Sequence, residues 1–188
     1  MWKCHQCGLL GKTSSIVDMM QKLHERVDKL ERDDLQGNLQ FLGECRKLLH
    51  CNHSILTELR VRIIPIMSRG AGVTIASFPD TTLVLKQQLC RENLAVLNII
   101  TPGLTHQRGG VLYELHECDF HLAKRGLENG NISEKDFYHK ILAVKKGLLE
   151  CGQCLSSERT NSIEQYYEKS SMILLKTILE YIVMFSSS

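Results

Sequence analysis

Two cysteine pairs are the clearest candidates for chemistry in this 188-residue sequence. Cys4 and Cys7 stand on either side of two residues in a Cys- and Gly-rich N-terminal segment, and Cys151 and Cys154 repeat that spacing later in the chain. Two thiolates at this spacing can bind one tetrahedral zinc ion, and a structural zinc site needs two further ligands. No second pair stands near Cys4 and Cys7, so the sequence predicts half of a zinc site there.

Cys151 and Cys154 fall inside a regular helical pattern, which favours a different interpretation. A thioredoxin-like redox site would need a βαβ context, and the sequence around this pair has none. A free cysteine on the apolar side of a helix packs like a small hydrophobic residue. We therefore predict that both of these thiols lie in the core.

Two further sets of residues contain the residue types of a reactive or metal-binding site. They lack the spacing or the structural context that such a site requires. His116 and His121, with Cys118 between them, are five residues apart, whereas zinc-binding His pairs on one helix are four apart. Residues 51–54, Cys-Asn-His-Ser, lie where a turn is expected to join two helices. The sequence contains no Gly-rich phosphate loop, Ser-His-Asp set or paired-carboxylate motif, so we predict no catalytic residue.

Helices are the elements that must position these residues. The chain has only 3 prolines and 6% aromatic residues, and strands favour aromatic and β-branched residues. Apolar residues recur every three or four positions, which is typical of helices. Short connections place consecutive helices antiparallel, so we predict an all-α antiparallel bundle of about seven helices. The predicted helices cover about residues 15–32, 35–49, 54–65, 81–100, 106–127, 134–155 and 161–184.

Three of these helices carry more specific expectations. Ser15, followed by Asp18, resembles a capping box and predicts the start of the first helix. The fourth helix is apolar on more than one side, which predicts a central position in the bundle. Ser133 is expected to cap the sixth helix, whose apolar stripe is the most regular in the chain. That stripe consists of Phe137, Ile141, Val144, Leu148, Cys151 and Leu155.

Charge and cysteine usage exclude several classes of protein. The net charge is +2 with acids and bases interspersed, so no basic face for nucleic acid is predicted. The most apolar stretch, residues 172–184, is interrupted by Lys176 and Glu180, so no membrane span is predicted. Because no hydrophobic signal core precedes the 8 cysteines, we expect free thiols and a cytoplasmic or nuclear location.

Three motifs, in order, resemble the SET-and-MYND proteins, especially their arthropod SmydA branch. Residues 2–8 are similar to the Trp-x-Cys-x-x-Cys that closes the cysteine-rich post-SET segment. Residues 48–53 resemble the Leu-Leu-His-Pro-Asn-His turn after the second helix, with Cys51 in place of the proline. Residues 102–116 resemble the Pro-Gly, Arg-Gly and Tyr-Glu-Leu-His stretch of the helical C-terminal region. The order and spacing agree over about the whole chain.

The resemblance implies a parent protein that transfers methyl groups from S-adenosylmethionine to lysines of histones or other proteins. It also implies that residues 1–11 end the zinc-binding post-SET segment and that residues 12–188 form a TPR-like helical domain. The SET core, the donor-binding residues and the MYND zinc finger are expected upstream of Met1. The chain is then expected to be a fragment, a truncated gene model or a degenerate relative.

We therefore predict a helical domain that works by contact with a SET core or a partner protein. The alternative is an independent helical bundle that is an enzyme or a ligand carrier with an interior site. Contact predicts an open groove and no convergent polar cluster in the interior. The alternative predicts a closed pocket lined by several titratable groups.

Overall fold

The computed structural model describes residues 1–3, 8, 10–68, 75–156 and 163–186. Helices dominate this part of the chain, so the predicted all-α antiparallel bundle is confirmed. A short antiparallel pair of strands, β1 (Trp2–Lys3) and β2 (Leu10–Gly11), precedes the helices. The α-helices among the described residues are α1 (Thr13–Lys29), α2 (Leu35–Arg46), α3 (Ser54–Ile66), α4 (Asp80–Ile100), α5 (His106–Glu128), α6 (Glu134–Leu155) and α7 (Ile163–Ser186).

The chain divides into two compact units, Met1–Ile63 and Ile64–Ser188. These units are defined by how the chain packs. The boundary predicted between residues 11 and 12 separates a zinc-binding segment from a helical domain, and it stays a prediction. In the first unit, α1 buries Leu23 and Val27, and α2 buries Phe41, Leu42 and Cys45. Arg26 of α1 lies over the ring of Phe41 at 4.3 Å. The core side chains that α3 adds to this unit are Ile55, Leu56, Leu59 and Ile63.

The ends of two helices in the first part of the chain bear on the sequence predictions. The start predicted at Ser15 is wrong, because α1 already begins at Thr13 after Lys12, which makes no side-chain cap. The Ser15 hydroxyl and the Asp18 carboxylate therefore do not form the predicted capping box at the start of α1. α3 ends at Ile66, one residue after Pro65 and close to the end predicted at residue 65.

In the second unit, α5 packs against α4, α6 and α7, so α5 is the central helix among the described residues. The predicted central position of α4 is wrong, because its additional apolar side chains Val84, Ile99 and Ile100 are exposed. Gly109 explains how α5 packs so closely. A Cβ atom at this position would lie 2.8 Å from Leu155, so only glycine lets α5 approach α6 this closely.

α6 has the predicted start and the predicted register. The Ser133 hydroxyl accepts a hydrogen bond from the Asp136 backbone N–H at 3.1 Å, which caps the helix. The opposite side of the helix is polar, and Lys146 on that side is exposed. All six residues of the predicted stripe are buried: Phe137, Ile141, Val144, Leu148, Cys151 and Leu155.

Candidate functional site

A lysine and a glutamate form an ion pair in the interior of the second unit. Lys86 lies in α4 and Glu114 lies in α5, and α4 packs against α5. The ammonium Nζ of Lys86 contacts Glu114 Oε2, and the two side chains are 1% and 2% exposed. Taking two charges out of water is expensive, so such a pair persists only where further hydrogen bonds satisfy both groups.

Two hydroxyl groups complete the hydrogen bonding of the Glu114 carboxylate. Tyr167 of α7 donates to Oε1 at 2.9 Å, and Ser68, just after α3, donates to Oε2 at 2.7 Å. The Lys86 ammonium also donates to Ser68 Oγ, which leaves the serine proton available for the carboxylate. One carboxylate thereby connects α4, α5, α7 and the segment that follows α3.

A second carboxylate lies one turn further along α5. Glu117 Oε2 is 3.9 Å from Lys86 Nζ, and Tyr113 donates its hydroxyl to Glu117 Oε1 at 2.5 Å. The rings of Tyr113 and Tyr167 lie 5.6 Å apart, so the two tyrosines that bind the carboxylates also pack against each other. The name ionic cluster is used below for Ser68, Lys86, Tyr113, Glu114, Glu117 and Tyr167.

The charges of the ionic cluster follow from its burial and its neighbours. Burial alone would lower the pKa of Lys86, but the Glu114 carboxylate, with a contribution from Glu117, outweighs it, so this pKa is raised overall. Lys86 therefore stays a cation at neutral pH. Burial also raises the pKa of Glu117, against the opposing effects of the Tyr113 hydrogen bond and the Lys86 charge.

Two thiols near the ionic cluster are held in their protonated form. Burial raises the pKa of Cys118 to about 12 although the Lys86 charge opposes it, and burial likewise raises the pKa of Cys90. Cys118 packs with Ile75 and Leu83 in an apolar part of the core. Because a cysteine reacts as its thiolate, both residues are in the inert form at neutral pH.

These properties are those of a structural connection between helices. A lysine that acts as a nucleophile or a base needs a lowered pKa, whereas that of Lys86 is raised. Every member of the ionic cluster binds another member of it. The arrangement can hold four chain segments in register.

The cysteines predicted as zinc ligands, Cys4 and Cys7, lie outside the described residues. In the part of the chain that the structure does describe, there is no group of three or more His, Cys, Asp or Glu side chains placed to hold a metal ion. The zinc half-site therefore stays a prediction from the spacing of the two thiols.

The three residues around His116 do not converge on one point. His116 Nδ1 lies 3.1 Å from Asp119 Oδ2, on the same helix. The His121 ring packs edge-on against Phe120 with 5.5 Å between ring centres, while Cys118 is buried. These separate partners agree with the interpretation of partly buried side chains without a shared ligand.

The other two candidate sets have structural roles. Cys151 and Cys154 are both buried, and the Cys151 thiol donates to the Gly109 carbonyl oxygen at 3.2 Å, so the predicted core packing is confirmed. In the segment 51–54, His53 Nδ1 accepts a hydrogen bond from the Ile55 N–H at 3.2 Å. This segment joins α2 to α3, as predicted.

Sequence reasoning missed the ionic cluster, and the available signal was weak. Lys86 interrupts an otherwise apolar side of α4 between Leu83 and Leu89, and Glu114 stands between two buried residues of α5. A charged residue on an apolar helix side predicts a buried partner. The sequence does not reveal which acid that partner is, because Lys86 and Glu114 are 28 positions apart.

The outer side of α7 carries exposed apolar side chains. Met172, Ile173, Val183 and Met184 are between 61% and 70% exposed, although Ile178 on the opposite side of the helix is fully buried. Single exposed apolar side chains are ordinary, but a contiguous apolar strip on one element is typical of an interaction surface. These four residues, with Lys176, Leu179 and Glu180, are named the α7 outer face below.

Comparison of the chain with models of known protein families gave no match, and comparison with curated proteins gave none either. Among the described residues, every helix is too short or too polar to cross a membrane.

Proposed function

We propose that this chain is the C-terminal helical domain of a SET-and-MYND protein and that it acts by contact. Its partner in this proposal is the SET core of the full-length protein or another protein. The parent would use S-adenosylmethionine to methylate lysines of histones or other proteins, in the cytoplasm or the nucleus. Catalysis by the chain alone is not part of the proposal.

The observation that carries this proposal is the mutual bonding of the ionic cluster. The contact interpretation predicted no convergent polar cluster in the interior, and this expectation is wrong for the second unit, which contains one. Such a cluster is what the enzyme alternative expects. Its lysine and carboxylates bind each other and two tyrosines, and the pKa of Lys86 is shifted away from the range of a nucleophile or base. Groups that satisfy each other stabilise a scaffold, so its function is best sought at its surface.

The residues that carry the family resemblance give further support. Within residues 102–116, Gly109 allows close packing of α5 on α6, and Arg108 pairs with Glu150 of α6 at 2.5 Å. Glu114 joins α4, α5 and α7, and His116 binds Asp119. A motif whose side chains connect helices is what a helical support domain requires.

An interior-site enzyme or ligand carrier is the second candidate, and the ionic cluster is the observation in its favour. In that case Lys86 and Glu114 would bind a polar ligand after exchanging their present partners. Such an exchange would have to replace three hydrogen bonds to a buried carboxylate, each worth about 1.5–3 kcal/mol when a charged group takes part. This requirement makes the contact proposal the better supported one.

The test is to co-express the chain with a SET-and-MYND core from which the helical C-terminal region has been removed. We expect the two to co-purify and the core to change its methylation rate on a histone peptide. A helical bundle of similar length from an unrelated protein serves as the control. No association with the core, or specific binding of S-adenosylmethionine to the chain alone in calorimetry, would overturn the proposal.

A further inference from the structure

The α7 outer face has a charge pattern that complements itself. Met172 and Val183 are eleven residues apart, and so are Ile173 and Met184, which is close to three helical turns. Each pair therefore forms one line of apolar side chains along the helix. Around the helix axis, Lys176 points between these two lines, one turn after Met172.

Lys176 and Glu180 supply opposite charges to the middle of this face. They lie four residues apart, one turn from each other. Within the described residues, neither takes part in an ion pair of the same chain. Both charged side chains are exposed.

We propose that the α7 outer face pairs with the same face of a second copy, with the two helices antiparallel. The pairs 172/183, 173/184 and 176/180 all have midpoints within half a residue of position 178. A two-fold axis at that level therefore places Met172 beside Val183 of the second copy and Ile173 beside Met184 of the second copy. It also places Lys176 beside Glu180 of the second copy, twice in each dimer. Such an isologous contact is the commonest kind in homo-oligomers.

Charge argues for a second copy as the occupant and against a membrane surface. Helices that lie on membranes are rich in Lys and Arg on their polar side. The helix α7 has two lysines and three glutamates, and its outer face has one charge of each sign near the middle. A neutral, self-complementary face fits its own copy better than anionic lipid. This inference does not depend on the resemblance to SET-and-MYND proteins.

The size of the face sets the expected strength of the dimer. From Met172 to Met184 the helix rises about 18 Å. One pair of helices of this length buries less than the roughly 800 Å² per partner of a standard interface. We therefore expect a weak dimer with a Kd on the order of 10–100 μM.

Sedimentation equilibrium of the whole chain at a series of concentrations tests this arrangement. The wild-type chain should approach twice its own mass as the concentration rises. Lys176→Glu and Glu180→Lys each place like charges opposite each other at both 176/180 contacts of the dimer. Each should therefore weaken the dimer at least about tenfold. Lys146→Glu, at an exposed position of α6, should leave the Kd unchanged.

The double variant Lys176→Glu/Glu180→Lys distinguishes this contact from general effects of charge. It restores both opposite-charge pairs with their signs exchanged, so the dimer should return to within about threefold of the wild-type Kd. Ile173→Asp should abolish the dimer, whereas Val84→Asp, also at an exposed apolar position, should not. Helicity measured by circular dichroism confirms that each variant is folded.

Three outcomes would overturn the inference. The first is a wild-type chain that stays monomeric up to about 1 mM, well above the expected Kd. The second is a double variant that remains as weak as the single ones. The third is binding of the wild-type monomer to phosphatidylcholine–phosphatidylserine vesicles that Ile173→Asp abolishes, since that would assign the face to a lipid surface.

Discussion

Lys86 of α4 donates to the Glu114 carboxylate of α5 at a place where both side chains are almost completely buried. The same carboxylate accepts hydrogen bonds from Ser68 and Tyr167, so one ion pair connects four segments of the second unit. Burying an ion pair is seldom favourable in itself, but breaking one leaves an uncompensated charge. Loss of either Lys86 or Glu114 should therefore destabilise the packing of these four segments.

Removing one partner of this pair should be more damaging than removing both. Lys86→Met leaves the Glu114 charge buried without its cation, which should lower the free energy of unfolding by about 3–5 kcal/mol. Lys86→Met/Glu114→Leu removes both charges and should recover much of that loss. Urea unfolding at neutral pH measures both variants. If the double variant is less stable than Lys86→Met, the side chains do not act as an isolated ion pair within an apolar setting.

Tyr167 allows a milder test of the same cluster. Tyr167→Phe keeps the ring that packs on Tyr113 but removes the hydroxyl that binds Glu114. Loss of one hydrogen bond to a charged group should cost about 1.5–3 kcal/mol. Tyr138→Phe, at a partly exposed position of α6 outside the ionic cluster, is the control and should change the unfolding free energy by about 0.5 kcal/mol or less. Equal effects of the two changes would contradict a role for the Tyr167 hydroxyl.

Gly109 and Gly152 should respond in opposite directions to the same change. A Cβ at Gly109 would lie within 3 Å of Leu155 and Cys154, so Gly109→Ala should destabilise the second unit by about 1–3 kcal/mol. Gly152 in α6 has no atom within 4 Å of such a Cβ, and Gly152→Ala should stabilise by about 0.5–1 kcal/mol through helix propensity. Thermal unfolding of both variants gives the comparison. A Gly109→Ala variant as stable as Gly152→Ala would contradict the close approach of α5 to α6.

The sequence predicted α6 well because its apolar residues recur with a helical period and its cap is a local feature. Period and capping need no knowledge of the rest of the fold. It misplaced the start of α1, since a Ser followed three residues later by Asp also occurs inside helices. It also assigned the central position to α4, because a count of apolar residues does not distinguish buried Leu89 from exposed Ile99.

The ionic cluster lay beyond sequence reasoning for a different reason. Its partners come from α4, α5, α7 and the segment after α3, so only the packed helices bring them together. A lysine on an apolar side indicates a buried cation but does not identify its acid. The α7 outer face was similarly hidden, since residues 172–184 resemble a core helix until its neighbours are known.

Chelation of metal should leave the helices intact. The cores of both units consist of side chains from the helices themselves, and they include Leu42 and Leu59 in one and Ile141 and Leu148 in the other. Addition of EDTA to the purified chain should therefore change its far-UV circular dichroism very little. A large loss of helicity would contradict this, because a domain that depends on a metal unfolds when the metal is removed.

The final prediction concerns acid, and it depends on His121. Burial, followed by the charges of Arg125 and Lys124, lowers the pKa of His121 from its ordinary value of 6.5 to about 4. Between these values the unfolded chain binds a proton that the folded chain does not, so His121 favours the folded state above pH 6.5. That contribution is lost as the pH falls towards 4. Because the ring is only partly buried, the loss should be about 1–3 kcal/mol.

Urea unfolding of the wild-type chain, His121→Gln and Gln153→Ala at pH 7 and at pH 4.5 measures this effect. His121→Gln has no proton to gain, so its stability should fall less between the two pH values than that of the wild-type chain. Gln153 is exposed on α6 and does not titrate, so its replacement should leave the wild-type pH dependence unchanged. If His121→Gln loses as much stability as the wild-type chain, another group carries the acid sensitivity. Glu117 is not that group, because its pKa is raised. A carboxylate that takes up its proton more readily in the folded state favours folding as the pH falls.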